Sequence, residues 1–237
     1  MQVAQLWRFP VKSLGGERLE RVDVDALGVA GDRRWGVEDA TTGKVLTARR
    51  VPRLLFAQAR LVGSDQVSVE LEDRTLLDDG ALSEWLERPV RLVRAEPGRR
   101  GTYETVVDFE READSDWVSW DGPEGTFHDS TRTQLSLLSW DSIGRWDVRR
   151  FRANVVLDVG PEADLVGKSL RIGTVEARVV KEIDRCVVTT RAQPGVEPDL
   201  DVLRTINREK GANLGVGALV SRPGSIAVGD RLTVLDP

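Results

Sequence analysis

Cysteine is almost absent from this chain: Cys186 is the only one in 237 residues. An intramolecular disulfide is therefore excluded, and so is an iron-sulfur cluster held by several thiolates of one chain. Histidine is as scarce, with His128 alone, so a zinc shell built from Cys186 lacks the further cysteine and histidine ligands it would need. No apolar run approaches the roughly 20 residues that cross a bilayer. The opening MQVAQLWRFPVKS has neither the charged region nor the long apolar region of an export signal. A glycine-rich nucleotide fingerprint is missing too. The expectation is a cytoplasmic chain with no membrane partner, and a net charge of −5 gives it no general attraction for nucleic acid.

What is present supports a substantial core. Hydrophobic residues make up 40% of the chain and charged residues 31%, and the length suits two modest domains. Apolar and polar residues alternate at Val22 to Asp25 and at Val67 to Glu72, the period of half-buried strands. Further strand candidates lie at 90–93, 155–159, 170–172, 175–180, 186–190 and 232–235. Glycines such as Gly28, Gly31, Gly43, Gly167, Gly173 and Gly229 punctuate them as turns. Helical signals are short: 83–88 before Pro89, 139–146 with Ser139 as a cap, and 199–208 after Pro198. The fold class expected is mainly β with short helices, a β-rich α+β arrangement. Between Glu104 and Glu124, eight carboxylates face one basic residue, Arg111, and this repulsion points to a mobile, acidic connection between the two domains. A solvated loop is its plain reading, and a lid or a docking surface the alternative.

Two sets of residues have chemistry to offer. A thiolate is a soft ligand and nucleophile, and Arg185 beside Cys186 favours its ionised form. The same cysteine ahead of Val187 and Val188 also fits a small buried apolar side chain. Pairing with His128 as a nucleophilic couple has no motif behind it. The second set is basic and small: Lys12, Ser13, Gly15 and Gly16, then Arg33, then Arg152 and Asn154. Arginine forks and glycine-flanked backbone suit phosphate oxygens, while surface ion pairing is the ordinary use of each residue taken singly.

Taken in order, these segments resemble a known family. FPVKSLGG, GVAGDRRWGV and VLTARRVPRL look like the N-terminal barrel that accompanies MOSC domains. RRFRANVVLD, IDRCVVTT, LRTINR and GSIAVGDRLTVL look like the MOSC domain itself, of the amidoxime-reducing type. The resemblance implies an N-terminal β-barrel-like domain over 1–95, the acidic connection over 96–126 and a MOSC domain over 127–237. It implies a molybdenum-molybdopterin cofactor with Cys186 as the metal ligand and catalytic residue. Lys12, Ser13, Arg33, Arg152, Asn154, Asp184 and Arg185 would hold the pterin and its phosphate, with Ser139 and Ser142 of LLSWDSI beside them. Asp184 stands where the family commonly has a small polar residue. Asp129 falls either on the substrate side or in a strand-end turn. Trp117 and Trp120, beside the acidic connection, suit either a flat apolar mouth or ordinary packing.

The function so implied is a molybdenum-dependent oxidoreductase that reduces small N-oxygenated substrates of amidoxime type. The cofactor would supply the redox step and the protein its placement. With no redox centre of its own beyond that, the chain would draw electrons from an external donor protein carrying flavin, haem or iron-sulfur. The rival readings are a carrier of the cofactor, or of sulfur on Cys186, without turnover, and a cofactor-free interaction module. Oligomeric state has no sequence signal here.

Overall fold

The computed structural model of the protein describes residues 1–64, 66–76 and 78–235. It is mainly β, as expected. The N-terminal part runs β1 (Val3–Arg8), β2 (Glu17–Leu19), β3 (Arg21–Asp25), β4 (Gly28–Val29), β5 (Trp35–Asp39), β6 (Gln58–Val62), β7 (Gln66–Glu70), β8 (Thr75–Leu76), α1 (Asp79–Leu86) and β9 (Val90–Arg94). A hairpin follows, β10 (Arg100–Val106) and β11 (Trp117–Glu124). The C-terminal part holds β12 (Leu135–Ser139), α2 (Trp140–Ile143), β13 (Val155–Leu157), β14 (Ser169–Ile172), β15 (Val175–Asp184), α3 (Leu200–Lys210), β16 (Asn213–Arg222), β17 (Gly224–Ala227) and β18 (Leu232–Leu235).

Eight strands form one sheet in the order β18-β14-β15-β16-β12-β13-β1-β2. The sheet curls into a half-barrel, and an isolated bridge between Gln2 and Arg231 draws the β1 and β18 ends together. Its concave core is branched aliphatic: Val3, Leu6, Leu135, Leu157, Val179 and Val216 are all buried. Because β1 and β2 join this sheet, and β17 pairs with β3, the two ends of the chain are interleaved in space. A second core lies under α1, where Val11, Leu14, Val37, Leu54 and Leu82 pack with Trp85. Asp78 caps α1 by accepting from Ala81 N–H at 2.8 Å, and Asp199 does the same for α3 through Asp201 at 2.9 Å, each satisfying an orphan amide of the first turn.

Two expectations change. The stretch 104–124 is not an unpaired connection. It is a paired hairpin, and Tyr103 at its root has no exposed surface. Mutual repulsion is relieved by bases from elsewhere in the chain: Lys44 meets Glu104 at 2.9 Å, Arg204 meets Glu110 at 2.7 Å and Arg191 meets Glu112 at 2.5 Å. Likewise 186–190 is no strand. Val187–Thr190 winds as a single 3-10 turn because Thr189 Oγ1 donates to the Cys186 carbonyl at 3.0 Å and Thr190 Oγ1 to that of Val187 at 2.8 Å, bonds that draw the backbone away from a ladder.

Candidate functional site

A cleft of about 370 Å³ opens between the interleaved parts. Lys12, Ser13, Arg33 and Arg49 reach it from the N-terminal segments, Thr105 and Trp120 from the hairpin, and Arg152, Asn154, Asp184, Arg185 and Cys186 from the C-terminal sheet and its following loop. Seven lining side chains are lysine or arginine against two carboxylates, Asp129 and Asp184. Positive charge is thus concentrated here in a chain whose total is −5, the arrangement that focuses an anion.

The backbone around the cleft is strained in a specific way. Ser13, Arg33 and Arg152 have φ of 68°, 50° and 53°, a region that costs a side-chain-bearing residue about 1–2 kcal/mol. Interlocking bonds hold them there. Ser13 Oγ accepts from Ala48 N–H at 3.0 Å, Arg33 Nη2 donates to the Arg152 carbonyl at 3.0 Å, and Arg152 Nη1 donates to the Leu14 carbonyl at 2.6 Å. Both guanidinium groups stack on Phe9, at 5.1 and 4.3 Å from its centroid. The sequence gap between Arg33 and Arg152 is closed by these contacts.

Cys186 stands just beyond the end of β15, at the start of the 3-10 turn. Arg150 clamps the loop after it from behind, donating to the carbonyls of Thr189 at 3.1 Å and Glu197 at 2.5 Å. On the other side Arg49 interacts electrostatically with Cys186 and pairs with Asp129 at 3.2 Å through both terminal nitrogens. Asp129 accepts in addition from Lys12 Nζ at 2.7 Å. Lys12 donates to the Phe127 carbonyl at 2.8 Å and lies 3.9 Å above the Tyr103 ring.

Burial sets the charge states. Desolvation lowers the Lys12 ammonium to about 8, with Asp129 pulling the other way. For Asp129, burial opposes ionisation, but Arg49 and Lys12 overcome it and hold the carboxyl well below the usual range. Arg49 is desolvated too, and Asp129 and Cys186 more than compensate, raising it above an ordinary arginine. Arg152 falls to about 9, first through burial and then through repulsion from Arg33. Burial likewise lowers Arg185 to about 10. These last two lack a full set of partners: Arg152 Nη2 and Arg185 Nη2, with Arg49 Nε, have no hydrogen-bond partner among the described residues. A buried guanidinium nitrogen without an acceptor is costly. Among the described residues no three histidine, cysteine or carboxylate side chains gather as a metal shell.

Two family models match this chain. The MOSC N-terminal beta barrel domain covers residues 1–96, and the MOSC domain covers 126–233. The chain belongs to the MOSC-domain family. This MOSC protein is 26% identical to human mitochondrial amidoxime-reducing component 1, over 98% of the chain and 82% of that protein. It is also 26% identical to molybdenum cofactor sulfurase of Drosophila grimshawi over 99% of the chain, which spans about a third of that longer protein, 34%. Among solved structures, the YuaD protein of Bacillus subtilis aligns over 98% of the chain and 93% of its own with a TM-score of 0.46 and 13% identity.

Of the residues singled out from the MOSC pattern, Lys12, Ser13, Arg33, Arg152, Asn154, Asp184, Arg185 and Cys186 share the cleft. Asp184 is at its rim, with 77% of its side chain exposed and Lys181 Nζ at 2.6 Å, so its carboxylate is drawn outward. Asn154 is turned to scaffolding: its Oδ1 accepts from Ser136 Oγ at 2.9 Å and its Nδ2 donates to the Trp7 carbonyl at 3.3 Å. Ser139 and Ser142 do not reach the cleft. Both donate their hydroxyls to Glu162 Oε2, at 2.6 and 2.8 Å, because Ser139 is consumed as the N-cap of α2. Arg49 belongs to the cleft without having been singled out, and Asp129 and Trp120, each left between a site and a packing reading, line it too. VLTARR contains Arg49, and its buried pairing with Asp129 has no local sequence signal.

His128 is buried, with Nε2 lacking a partner and 3.9 Å from Asp32 Oδ2. Burial first, then Arg33, lowers it to about 4, so the imidazole is neutral at pH 7. The unfolded chain takes up a proton near pH 6.5 and the folded one only near 4. Stability is therefore unaffected above about 6.5 and falls as pH drops from there toward 4, by about 3 kcal/mol in all. Subtracting the urea-unfolding profile of His128→Gln from that of the parent should isolate this slope; parallel profiles would mean that His128 titrates normally.

Proposed function

We propose that this MOSC protein binds a molybdenum-pterin cofactor through Cys186 and reduces small N-oxygenated compounds with electrons from a separate donor protein. The observation that carries the reading is one thiol sharing a cleft with Arg152, Arg185 and Arg49, each of which has a buried guanidinium nitrogen without an acceptor among the described residues. Such a donor set fits an anionic group with a phosphate at one end and a soft metal at the other. The names of the human and fly relatives, an amidoxime-reducing component and a molybdenum cofactor sulfurase, point to the same cofactor.

When bound, the cofactor supplies two-electron chemistry, by which an N–O bond is cleaved and its oxygen leaves as water with two protons. The protein's own part is placement and charge. Arg152 and Arg185 would take the phosphate, Ser13 and Arg33 would fix the backbone that approaches it, and Cys186 would ligate the metal from its clamped turn. Arg49 would hold the sulfur and Asp129 together. Lys12, at about 8, keeps a proton at neutral pH on the cleft wall, in the range suited to general acid chemistry. Neutral His128 does not.

Molybdenum content tests this directly. Protein made in a host that synthesises the cofactor should carry near-stoichiometric metal, and Cys186→Ala should lose it by about tenfold or more. Wild-type protein without metal would overturn the reading. Turnover of a generic amidoxime with an artificial reductant separates a reductase from a carrier: a loaded but inert protein would be a carrier.

A further inference from the structure

The β10–β11 hairpin meets the cleft in two places of different strength. Its root is packed. Tyr103 is wholly buried among Phe127, Val45 and Trp120, and a Cβ added at Gly122 would come within 2.6 Å of its ring. Trp120 donates Nε1–H to the Asp129 carbonyl at 3.2 Å, is covered by Arg49 at 5.0 Å, and faces the cleft together with Thr105.

The tip is held by charge. Glu112 accepts from Arg191 Nη2 at 2.6 and 2.5 Å, and Glu110 from Arg204 Nε at 2.7 Å. Arg191 directly follows the turn that Cys186 begins, and Arg204 lies on α3. The hairpin therefore reaches from the Asp129 side of the cleft to the two segments after Cys186. Arg191 Nη2 also donates to the Arg49 carbonyl at 3.0 Å, so one guanidinium holds both the tip and the backbone of Arg49, which lines the cleft with Cys186. Arg204 and Glu110 are each 47% exposed, and pairs of that kind are weak and screened by salt.

We propose that this hairpin is the selectivity wall of the cleft: Trp120 and Thr105 limit the size of what reaches Cys186, while Glu110 and Glu112 hold the wall across the opening. The proposal rests on the reading of Cys186 as the reactive end of the cleft, but its geometry does not involve the cofactor. A packed root with an ion-paired tip is a hinged arrangement, since local opening follows the weakest contacts.

Alkylation of Cys186 in the cofactor-free protein tests it, with two maleimides of equal chemistry and unequal bulk, N-ethylmaleimide and the rigid N-(1-pyrenyl)maleimide. A change in intrinsic thiol reactivity alters both rates together, so only their ratio reports access. Wild type at low salt should favour the small reagent, and the preference should shrink about fivefold in roughly 1 M NaCl and in Glu110→Gln/Glu112→Gln. Trp120→Ala should shrink it without salt. Circular dichroism checks that the variants fold, and the salt series on wild type decides the matter if the double variant does not. A ratio unchanged by salt and by Trp120→Ala would overturn the proposal. Absence of molybdenum would overturn the proposed reductase and leave this size selection intact.

Discussion

Replacing Asp129 by alanine should destabilise the protein by about 2–3 kcal/mol at pH 7, a fall in Tm of roughly 5–10 °C for a chain of this size. The carboxylate is the shared partner of Lys12 and Arg49, whose side chains are only 5% and 11% exposed. Without it, two desolvated cations face each other. A fully buried pair broken from one side costs about 3–5 kcal/mol, but half of the Asp129 side chain, 51%, faces the cleft, and water there softens the loss. The sign of the pH dependence follows from Lys12. Asp129 raises its pKa, so in the variant the ammonium deprotonates below its present value of about 8. Above that value Lys12 is neutral in both folded proteins, and its share of the deficit disappears. The difference in unfolding free energy should therefore narrow between pH 7 and pH 9. A deficit that is constant over this range would place the cost on Arg49 alone, and a deficit near zero would mean that the cleft cations are well solvated.

The strands that alternate cleanly were legible in the sequence, because a two-residue period reads out a half-buried face without knowledge of the partner. Val22 to Asp25 and Val67 to Glu70 are such cases. Harder to read were elements decided by pairing at a distance. β1 looks like the start of an N-terminal domain, yet it completes the C-terminal sheet against β13. The acidic hairpin hid its strand character because local repulsion was counted without the lysine and arginines that neutralise it from other segments. Val187 to Thr190 has strong strand propensity, and two threonine hydroxyls override it with bonds to the backbone three residues back.

The candidate site shows the same division. Residues quoted in motifs fell together around the cleft, as Lys12, Arg33, Arg152 and Arg185 do. Ser139 and Ser142 failed because a serine before a short helix has a stronger local use, capping and holding Glu162. Arg49 could not be told from Arg50 beside it by composition. In the structure Arg49 pairs with Asp129 and lines the cleft with Cys186, whereas Arg50 lies over Trp117 at 4.2 Å. Three strained residues lining one cleft, Ser13, Arg33 and Arg152, were also out of reach, since no side chain announces a positive φ. Their clustering is the structural mark of a preorganised site.

That preorganisation predicts opposite effects on ligand binding and on stability at Arg152. Its Nη1 bonds the Leu14 carbonyl while Nη2 has no partner, and burial lowers its pKa to about 9. The folded, ligand-free protein thus carries an incompletely satisfied cation, held ready for an anion. Arg152→Gln keeps a donor for Leu14 and removes the desolvated charge. It should leave the cofactor-free protein as stable as the parent or more so, while each charge-assisted bond lost to a bound phosphate costs about 1.5–3 kcal/mol, or roughly 10- to 150-fold in affinity. Removing the Arg185 charge as well should multiply the loss in affinity, but not the gain in stability, because Arg185 Nε and Nη1 also support the carbonyls of Leu214 and Phe151. Thermal unfolding of the cofactor-free proteins with and without inorganic phosphate, set beside their retained molybdenum, measures both sides. Loss of stability and of phosphate response together would make Arg152 a scaffold residue, and loss of molybdenum at unchanged stability would make it a ligand-binding one.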